Sequence, residues 1–214
     1  MGWIRSQLTP QMVSPEDALP GRSTPVLSSM PEHEVFGRPL DEVPEGCQVA
    51  YFAQGCYWGA ERIFWNVEGV VNTAVGFLGG FTPNPTYLET CTGSTGHTET
   101  VRVVFDPKQV SYGELLQTFW EYHDPTTANR QGNDIGTQYR SAIFTTNDEQ
   151  LAAARRSAEL YQAPLTEAGR GDITTQIEPA GVFYYAELEH QQYLHKNPNG
   201  YDCHFRTGVA CPLP

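Results

Sequence analysis

Apolar Val101, Val103 and Phe105 recur with a period of two in TETVRVVF (Thr98 to Phe105), which predicts a strand. QVAYFA (Gln48 to Ala53) is a short apolar run ended by Gly55, consistent with a buried strand. YWGAERIFWNV follows it with Trp58, Arg62 and Trp65 at i, i+4 and i+7, which predicts a helix. VVNTAVGF (Val70 to Phe77) predicts another strand. SYGELLQTFWEYH opens with Ser111 and Glu114, a capping box, so a helix begins there. QYRSAIFTT predicts a strand, and TNDEQLAAARRSAELYQA opens with Thr-x-x-Glu and predicts a long helix. DITTQIEPA closes with a strand and a proline. About five strands and three helices in rough alternation predict an α/β (α+β) fold, a two-layer sandwich of mixed β-sheet with helices packed on it.

The remaining segments lack a period. LGGFTPNPTYLETCTGSTGH is a long Gly/Pro/Thr loop, of a kind that often carries function. From Tyr184 to Pro214 the chain is polar and glycine-rich, and predicts a long coil tail. Residues 1–45 are rich in Pro, Ser and acidic groups and predict an extended N-terminal arm over the surface. Residues 46–214 then form a single catalytic domain that includes the tail from about residue 190.

Charge narrows the partners. Twenty-five acidic against 13 basic side chains leave a net charge of −12, which disfavours nucleic acid and anionic membrane surfaces. No apolar run reaches the length of a membrane span, and the N-terminal stretch lacks the apolar core of a signal. The expectation is a cytoplasmic monomer. The five cysteines are odd in number and irregular in spacing, unlike a disulfide framework. In a reducing compartment they suggest redox chemistry or a metal, and Cys203 and Cys211 lie close together near the C-terminus.

Candidate chemistry centres on QGCYWGAERIFW, Gln54 to Trp65. A strand that ends in glycine and turns into a helix exposes the next residue, here Cys56, to unsatisfied backbone N–H groups and the positive end of the helix dipole. Both favour a thiolate nucleophile. A half-buried packing cysteine remains the alternative. Tyr57 and Trp58 either wall a pocket beside the sulfur or pack in the core. GSTGHTE and HDPTTANRQGNDIGTQYRS are polar loops that deliver Glu99 and Asp134 as candidate acids, and Tyr87 and Tyr139 are candidate hydrogen-bond donors.

At these residues the sequence resembles a known family. GCYWGAE is similar to the Gly-Cys-Phe-Trp-Gly signature of peptide methionine-(S)-sulfoxide reductases. GGFTPNPTY, TGHTE, FWEYHDPTTANRQGNDIGTQYRSAIF and YYAELEHQQYLHKNP match the same pattern in order, from about residue 48 onward, and VSPEDALPGR resembles the N-terminal extension of some bacterial members. The resemblance implies a two-layer α/β fold, no metal, no cofactor, and thioredoxin or a similar dithiol as reductant. It implies Cys56 as nucleophile, Glu99 as proton donor, Tyr87 and Tyr139 as donors to the sulfoxide oxygen, and Asp134 as their support. It further implies Tyr57 and Trp58 around the substrate methyl group, and Cys203 and Cys211 as recycling cysteines. By position, Cys203, nearer the folded body, is expected to be the first partner of Cys56, and Cys211, near the end of the chain, the exposed one. Cys47 and Cys91 are read as structural. Tyr57 stands where the family usually has Phe, which adds a hydroxyl at the pocket wall.

Two other functions fit parts of the pattern. A cysteine hydrolase would pair Cys56 with His97 or His123. A metal-binding module would use His190, His195, Cys203, His204 and Cys211, although their spacing matches no familiar zinc pattern.

Overall fold

A computed structural model describes residues 10–202 and 206–212. β1 (Gln48–Gln54) sends Ala50 and Phe52 to one face of the sheet and Tyr51 and Ala53 to the other. It leads into α1 (Tyr57–Trp65) and then β2 (Val70–Leu78). The long loop holds one short helix, α2 (Tyr87–Cys91), before β3 (Thr98–Phe105) and α3 (Tyr112–Glu121). β4 (Arg130–Gln131) and β5 (Asp134–Ile135) make a small separate ribbon. β6 (Ser141–Thr145), α4 (Asp148–Glu167), β7 (Gln176–Pro179), β8 (Tyr184–Tyr185) and α5 (Tyr193–Lys196) follow.

The main sheet runs β7-β6-β1-β3-β2-β8. β6 and β7 are parallel, and the other neighbours are antiparallel, so the sheet is mixed as expected. Val101, Val103 and Phe105 join Ala50, Phe52 and Phe77 in the main core. α1 adds Tyr57, Ala60 and Phe64, α3 adds Leu115, Leu116, Phe119 and Trp120, and α4 adds Ala154, Tyr161 and Leu165. The Phe52 ring stacks on Phe64 with centroids 4.9 Å apart and meets Phe119 at 5.5 Å. Full burial of each such ring stabilises the fold by roughly 1.5–3 kcal/mol. The other face of β3 is buried too. There the N-terminal segment covers it, and the Arg102 guanidinium donates to the carbonyls of Leu40 at 2.9 Å and Asp41 at 3.2 Å.

The Ser111–Glu114 capping box closes α3 as predicted. α4 is capped one residue later than its Thr-x-x-Glu pattern implies, because the Asn147 carboxamide accepts from the Gln150 N–H at 2.8 Å and Asn is a strong N-cap. α4 also continues through Pro164 to Glu167, where buried Leu165 packs into the core. The inward stripe of α1 is Tyr57, Ala60, Glu61 and Phe64, not Trp58, Arg62 and Trp65. The polar terminal stretch, expected to be coil throughout, contains β8 and α5.

Candidate active site

Gly55 makes the turn between β1 and α1 with φ +91, in the left-handed region, and a Cβ there would come within 2.6 Å of the Gln131 Cβ. Only glycine meets both demands. Cys56 then takes the N-cap position of α1 and is 6% exposed. The next backbone N–H, that of Tyr57, donates to Glu99 Oε2 at 2.9 Å. Glu99 reaches this spot because β3 pairs it opposite Phe77 of β2. It is 1% exposed. Burial pushes its carboxyl from 4.5 up to about 8, and the charge of Asp134 adds to the shift while the Tyr57 N–H opposes it. Glu99 is therefore a neutral acid at neutral pH, next to Cys56 at the start of α1.

Three further candidates converge on that acid. Tyr139 ends a 3₁₀ turn, Thr137–Tyr139, and its neighbours are pinned to β3 by the Thr98 hydroxyl, which donates to the carbonyls of Gln138 at 2.9 Å and Arg140 at 3.0 Å. Tyr87 begins α2, and its backbone N–H donates to the Glu187 carboxylate at 2.9 Å. Burial raises the pKa of both tyrosine hydroxyls, and in each the Glu99 charge is the next largest cause. They stay protonated donors. Asp134, in β5, accepts from the Tyr201 hydroxyl at 2.8 Å, so the C-terminal tail touches the site directly.

Trp58 and Tyr57 differ in burial. Tyr57 is 1% exposed and sits in the core cluster, with its hydroxyl lacking a hydrogen-bond partner among the described residues. Trp58 is partly exposed and stacks on Tyr87 at 6.2 Å and Tyr193 at 3.9 Å. Its indole N–H donates to His190 Nδ1 at 3.3 Å, and the His190 ring packs 4.2 Å from Tyr87. His190, Glu187, Tyr193 and Tyr201 contact the candidate residues, and sequence reasoning missed them in this role. The dense polar run in YYAELEHQQYLHKNP was the available signal.

A buried polar network supports α1 from behind. His33 Nδ1 accepts from the backbone N–H groups of Val35 at 3.0 Å and Phe36 at 3.2 Å, so Nε2 carries the proton and donates to the Thr73 hydroxyl at 2.8 Å. Thr73 donates in turn to Glu61 Oε1 at 2.9 Å, and Gln192 donates to Glu61 from both its backbone and side chain at 2.8 Å. This chain of bonds joins the N-terminal segment, the helix that Cys56 caps and the start of the tail.

The remaining expectations divide. Cys203 and His204 lie outside the described residues. Cys211, expected to be exposed, is 3% exposed within the main core. Its thiol is pushed up to about 12 by burial and by the charge of Glu121. Its backbone N–H donates to Glu121 at 3.0 Å and its carbonyl accepts from Gln117 at 3.2 Å. The segment packs because Val209 and Cys211 are apolar, a signal too short to show as a period. Cys47 is partly buried, and exposed Cys91 follows Tyr87 by one turn on α2. The two histidines that a hydrolase would use as bases hydrogen-bond other groups. His97 accepts from Gly80 N–H at 3.0 Å and its Nε2 lies 2.8 Å from the Thr82 carbonyl, while His123 bonds the Phe119 carbonyl at 2.6 Å and the Ser141 hydroxyl at 2.7 Å.

Known proteins are similar to this chain in sequence and fold. The family model described as peptide methionine sulfoxide reductase matches residues 48–211. Peptide methionine sulfoxide reductase MsrA 1 of Caulobacter vibrioides is 57% identical over 206 residues, covering 96% of this chain and 94% of the relative. The solved methionine sulfoxide reductase A of Corynebacterium diphtheriae superposes with a TM-score of 0.87 at 53% identity, covering 96% of this chain and all of that one. Mxr1 of Saccharomyces cerevisiae in reduced form gives a TM-score of 0.72 at 35% identity, covering 77% of this chain and 95% of its own. The yeast protein has also been solved in complex with Trx2, a match of 23% identity that bears on the fold alone.

Proposed function

The chain belongs to the peptide methionine sulfoxide reductase family and reduces methionine sulfoxide to methionine, and on that premise we propose that Cys56 is the nucleophile and Glu99 the acid of the reaction. The observation that carries the assignment is the hydrogen bond from Tyr57 N–H to Glu99, which sets a neutral carboxyl beside the N-cap cysteine.

The thiolate of Cys56 attacks the sulfoxide sulfur. A sulfoxide oxygen leaves poorly until it is protonated, and Glu99 supplies that proton. The hydroxyls of Tyr87 and Tyr139 donate to the same oxygen as negative charge develops on it, and Asp134 supports the network. Trp58 and Tyr57 enclose the methyl group. The oxygen ends on the Cys56 sulfur, methionine departs, and Cys56 is left as a sulfenic acid. Cys203 attacks that sulfenic acid, water leaves, and a Cys56–Cys203 disulfide forms. Cys211 attacks Cys203 and releases Cys56 as a thiol. An external dithiol then reduces the Cys203–Cys211 disulfide. Thioredoxin or a similar dithiol fits this last role, because it reduces an accessible disulfide by thiolate exchange.

The S epimer of protein-bound and free methionine sulfoxide is the substrate in this reading, with protein repair after oxidation as the outcome and neither metal nor cofactor required. Residues 46–214 act as one catalytic domain with residues 1–45 as an arm laid on it, and the protein works as a cytoplasmic monomer. No helix among the described residues is long and apolar enough to cross a membrane. The experiment is reduction of the separate S and R epimers with dithiothreitol, by the wild type and by Cys56→Ser. Turnover of the S epimer by the wild type alone is the expected result. Clear residual turnover by Cys56→Ser removes Cys56 from its role.

A further inference from the structure

The helix that carries Tyr87 cannot place itself. α2 has five residues, Tyr87–Cys91, whereas an isolated helix is marginal in water even at ~12–15. Its position must be fixed from outside. Two ties come from nearby or from the tail. Thr86 and Glu89 form a capping box, with Thr86 N–H donating to Glu89 Oε2 at 2.8 Å and Glu89 N–H donating to the Thr86 hydroxyl at 3.2 Å. Glu187 accepts from the Tyr87 N–H.

The third tie comes from the N-terminal arm. The Arg22 guanidinium donates to Glu89 Oε1 at 2.8 Å and to the Asn84 carbonyl at 2.6 Å. One carboxylate thus serves both purposes: Oε2 caps α2 and Oε1 is held by Arg22. The backbone of Arg22 bonds the same loop, donating to the Pro83 carbonyl at 3.0 Å and accepting from the Asn84 side chain at 2.9 Å. Gly21 lets the arm come this close. Its φ is +63, and a Cβ there would lie 2.2 Å from the Pro83 carbonyl oxygen. Arg22 ends the segment VSPEDALPGR and lies outside the family-matched residues 48–211.

We infer that Arg22 is a positioning residue for the reductive step, fixing the Tyr87 hydroxyl through Glu89 and the loop before α2. The inference rests on the proposed role of Tyr87 as a donor to the sulfoxide oxygen. The Arg22 and Glu89 side chains are 34% and 27% exposed, and pairs of that kind add little to global stability. Its effect therefore falls on rate rather than on melting. A displacement of about 1 Å at a reacting group can cost on the order of a hundredfold, and a loosened tie to one of several donors costs less.

The test is a double-mutant cycle on the full chain, read as dithiothreitol-driven single-turnover reduction of methionine-(S)-sulfoxide, with melting temperature recorded for every variant. Arg22→Ala is expected to lower the maximal rate about tenfold with little change in half-saturating substrate, because a developing-charge contact acts on the transition state. In the Tyr87→Phe background the same substitution is expected to change the rate less than about twofold, since the hydroxyl it positions is gone. Arg22→Lys, which keeps the charge and one contact, restores part of the rate and carries the test if the alanine variant folds poorly. If Tyr87→Phe costs rate and Arg22→Ala does not, or if Arg22→Ala costs the same in both backgrounds, the inference is overturned while the role of Tyr87 stands. If Tyr87→Phe itself costs nothing, the role of Tyr87 falls and the inference with it.

Discussion

The backbone N–H of Tyr57 and the carboxyl of Glu99 meet at 2.9 Å, so the proposed acid is held by the residue that directly follows the proposed nucleophile, Cys56. Local chain order places the sulfur, and strand pairing places the acid.

As the proposed acid, Glu99 is predicted to set the alkaline limit of the reaction. Its carboxyl is raised from 4.5 to about 8 by burial, so the proton-donating form dominates below that value and is lost as pH rises through it. The reductive step is expected to slow on the alkaline side. Glu99→Gln removes that limb and lowers the rate by ~10²–10⁴-fold, the usual worth of a general acid. Stability moves in the same sense. A carboxyl with a raised folded-state pKa favours the fold while protonated and loses that contribution as pH climbs toward about 8. Glu99→Gln is therefore expected to flatten the fall in stability between about pH 5 and about pH 8. Single-turnover kinetics and urea melts across that range check both, and a Gln variant with wild-type rates ends the assignment.

Tyr57 carries a hydroxyl that is buried and without a hydrogen-bond partner among the described residues. A polar group left unsatisfied in the interior costs on the order of 1–3 kcal/mol. Tyr57→Phe keeps the ring contacts with Phe77 at 5.9 Å and Tyr87 at 6.3 Å and deletes only the orphan oxygen. The expected outcome is a higher melting temperature by calorimetry. A lower one means that the hydroxyl has a partner in solution.

His33 is predicted to make the fold acid-sensitive. Burial lowers its pKa from 6.5 to about 3, and the charge of His195 adds to the shift. The unfolded chain therefore binds a proton that the folded one refuses. The contribution is fully present above 6.5 and is lost as pH falls toward about 3. Glu61, which the network links to His33, is raised to about 7 by burial and works in the opposite sense, losing stability as pH rises. His33→Gln is expected to lower stability at pH 7, because the Thr73 bond weakens, but to reduce the slope between about pH 6.5 and about pH 4. Urea titrations at several pH values measure it, and an unchanged slope rules out His33 as the cause.

The sequence carried much of this. Gly55–Cys56–Tyr57 told of a strand-to-helix turn because glycine, a thiol and an apolar run say so locally. Val101, Val103 and Phe105 told of the core face of β3 by period alone. What it could not show were partners brought together by pairing of distant segments. Nothing at Arg22 points to Glu89, nothing at His33 points to Glu61, and Tyr201 gives no sign of reaching Asp134. α2 was hidden because a five-residue helix inside a Gly/Pro/Thr loop has no period to detect. The burial of Cys211 was hidden for a related reason, since Val209 and Cys211 alone make no pattern.

That burial shapes the last prediction. The strap from Arg206 to Pro212 is docked on α3 and α4. The Tyr161 hydroxyl donates to the Val209 carbonyl at 2.9 Å and lies 3.0 Å from the Thr207 hydroxyl, and Glu121 holds the Cys211 N–H. Exchange needs a thiolate that can approach its target. With a thiol pushed up to about 12, only about one Cys211 in 10⁵ is ionised at neutral pH. In the proposed relay, a buried and docked Cys211 is a poor exchange partner, so the strap is predicted to lift after the Cys56–Cys203 disulfide forms. Cys211→Ser is expected to spare the dithiothreitol-driven reaction, slow the thioredoxin-driven one, and trap a Cys56–Cys203 disulfide after one equivalent of substrate. Tyr161→Phe, which removes both strap contacts of that hydroxyl, is expected to speed alkylation of Cys211 in the reduced enzyme. Mass spectrometry of alkylated peptides reads each case. If Cys211 of the reduced wild type alkylates as fast as exposed Cys91, the strap does not protect it. The recycling step then needs no lifting, because the thiol is already within reach of its partner.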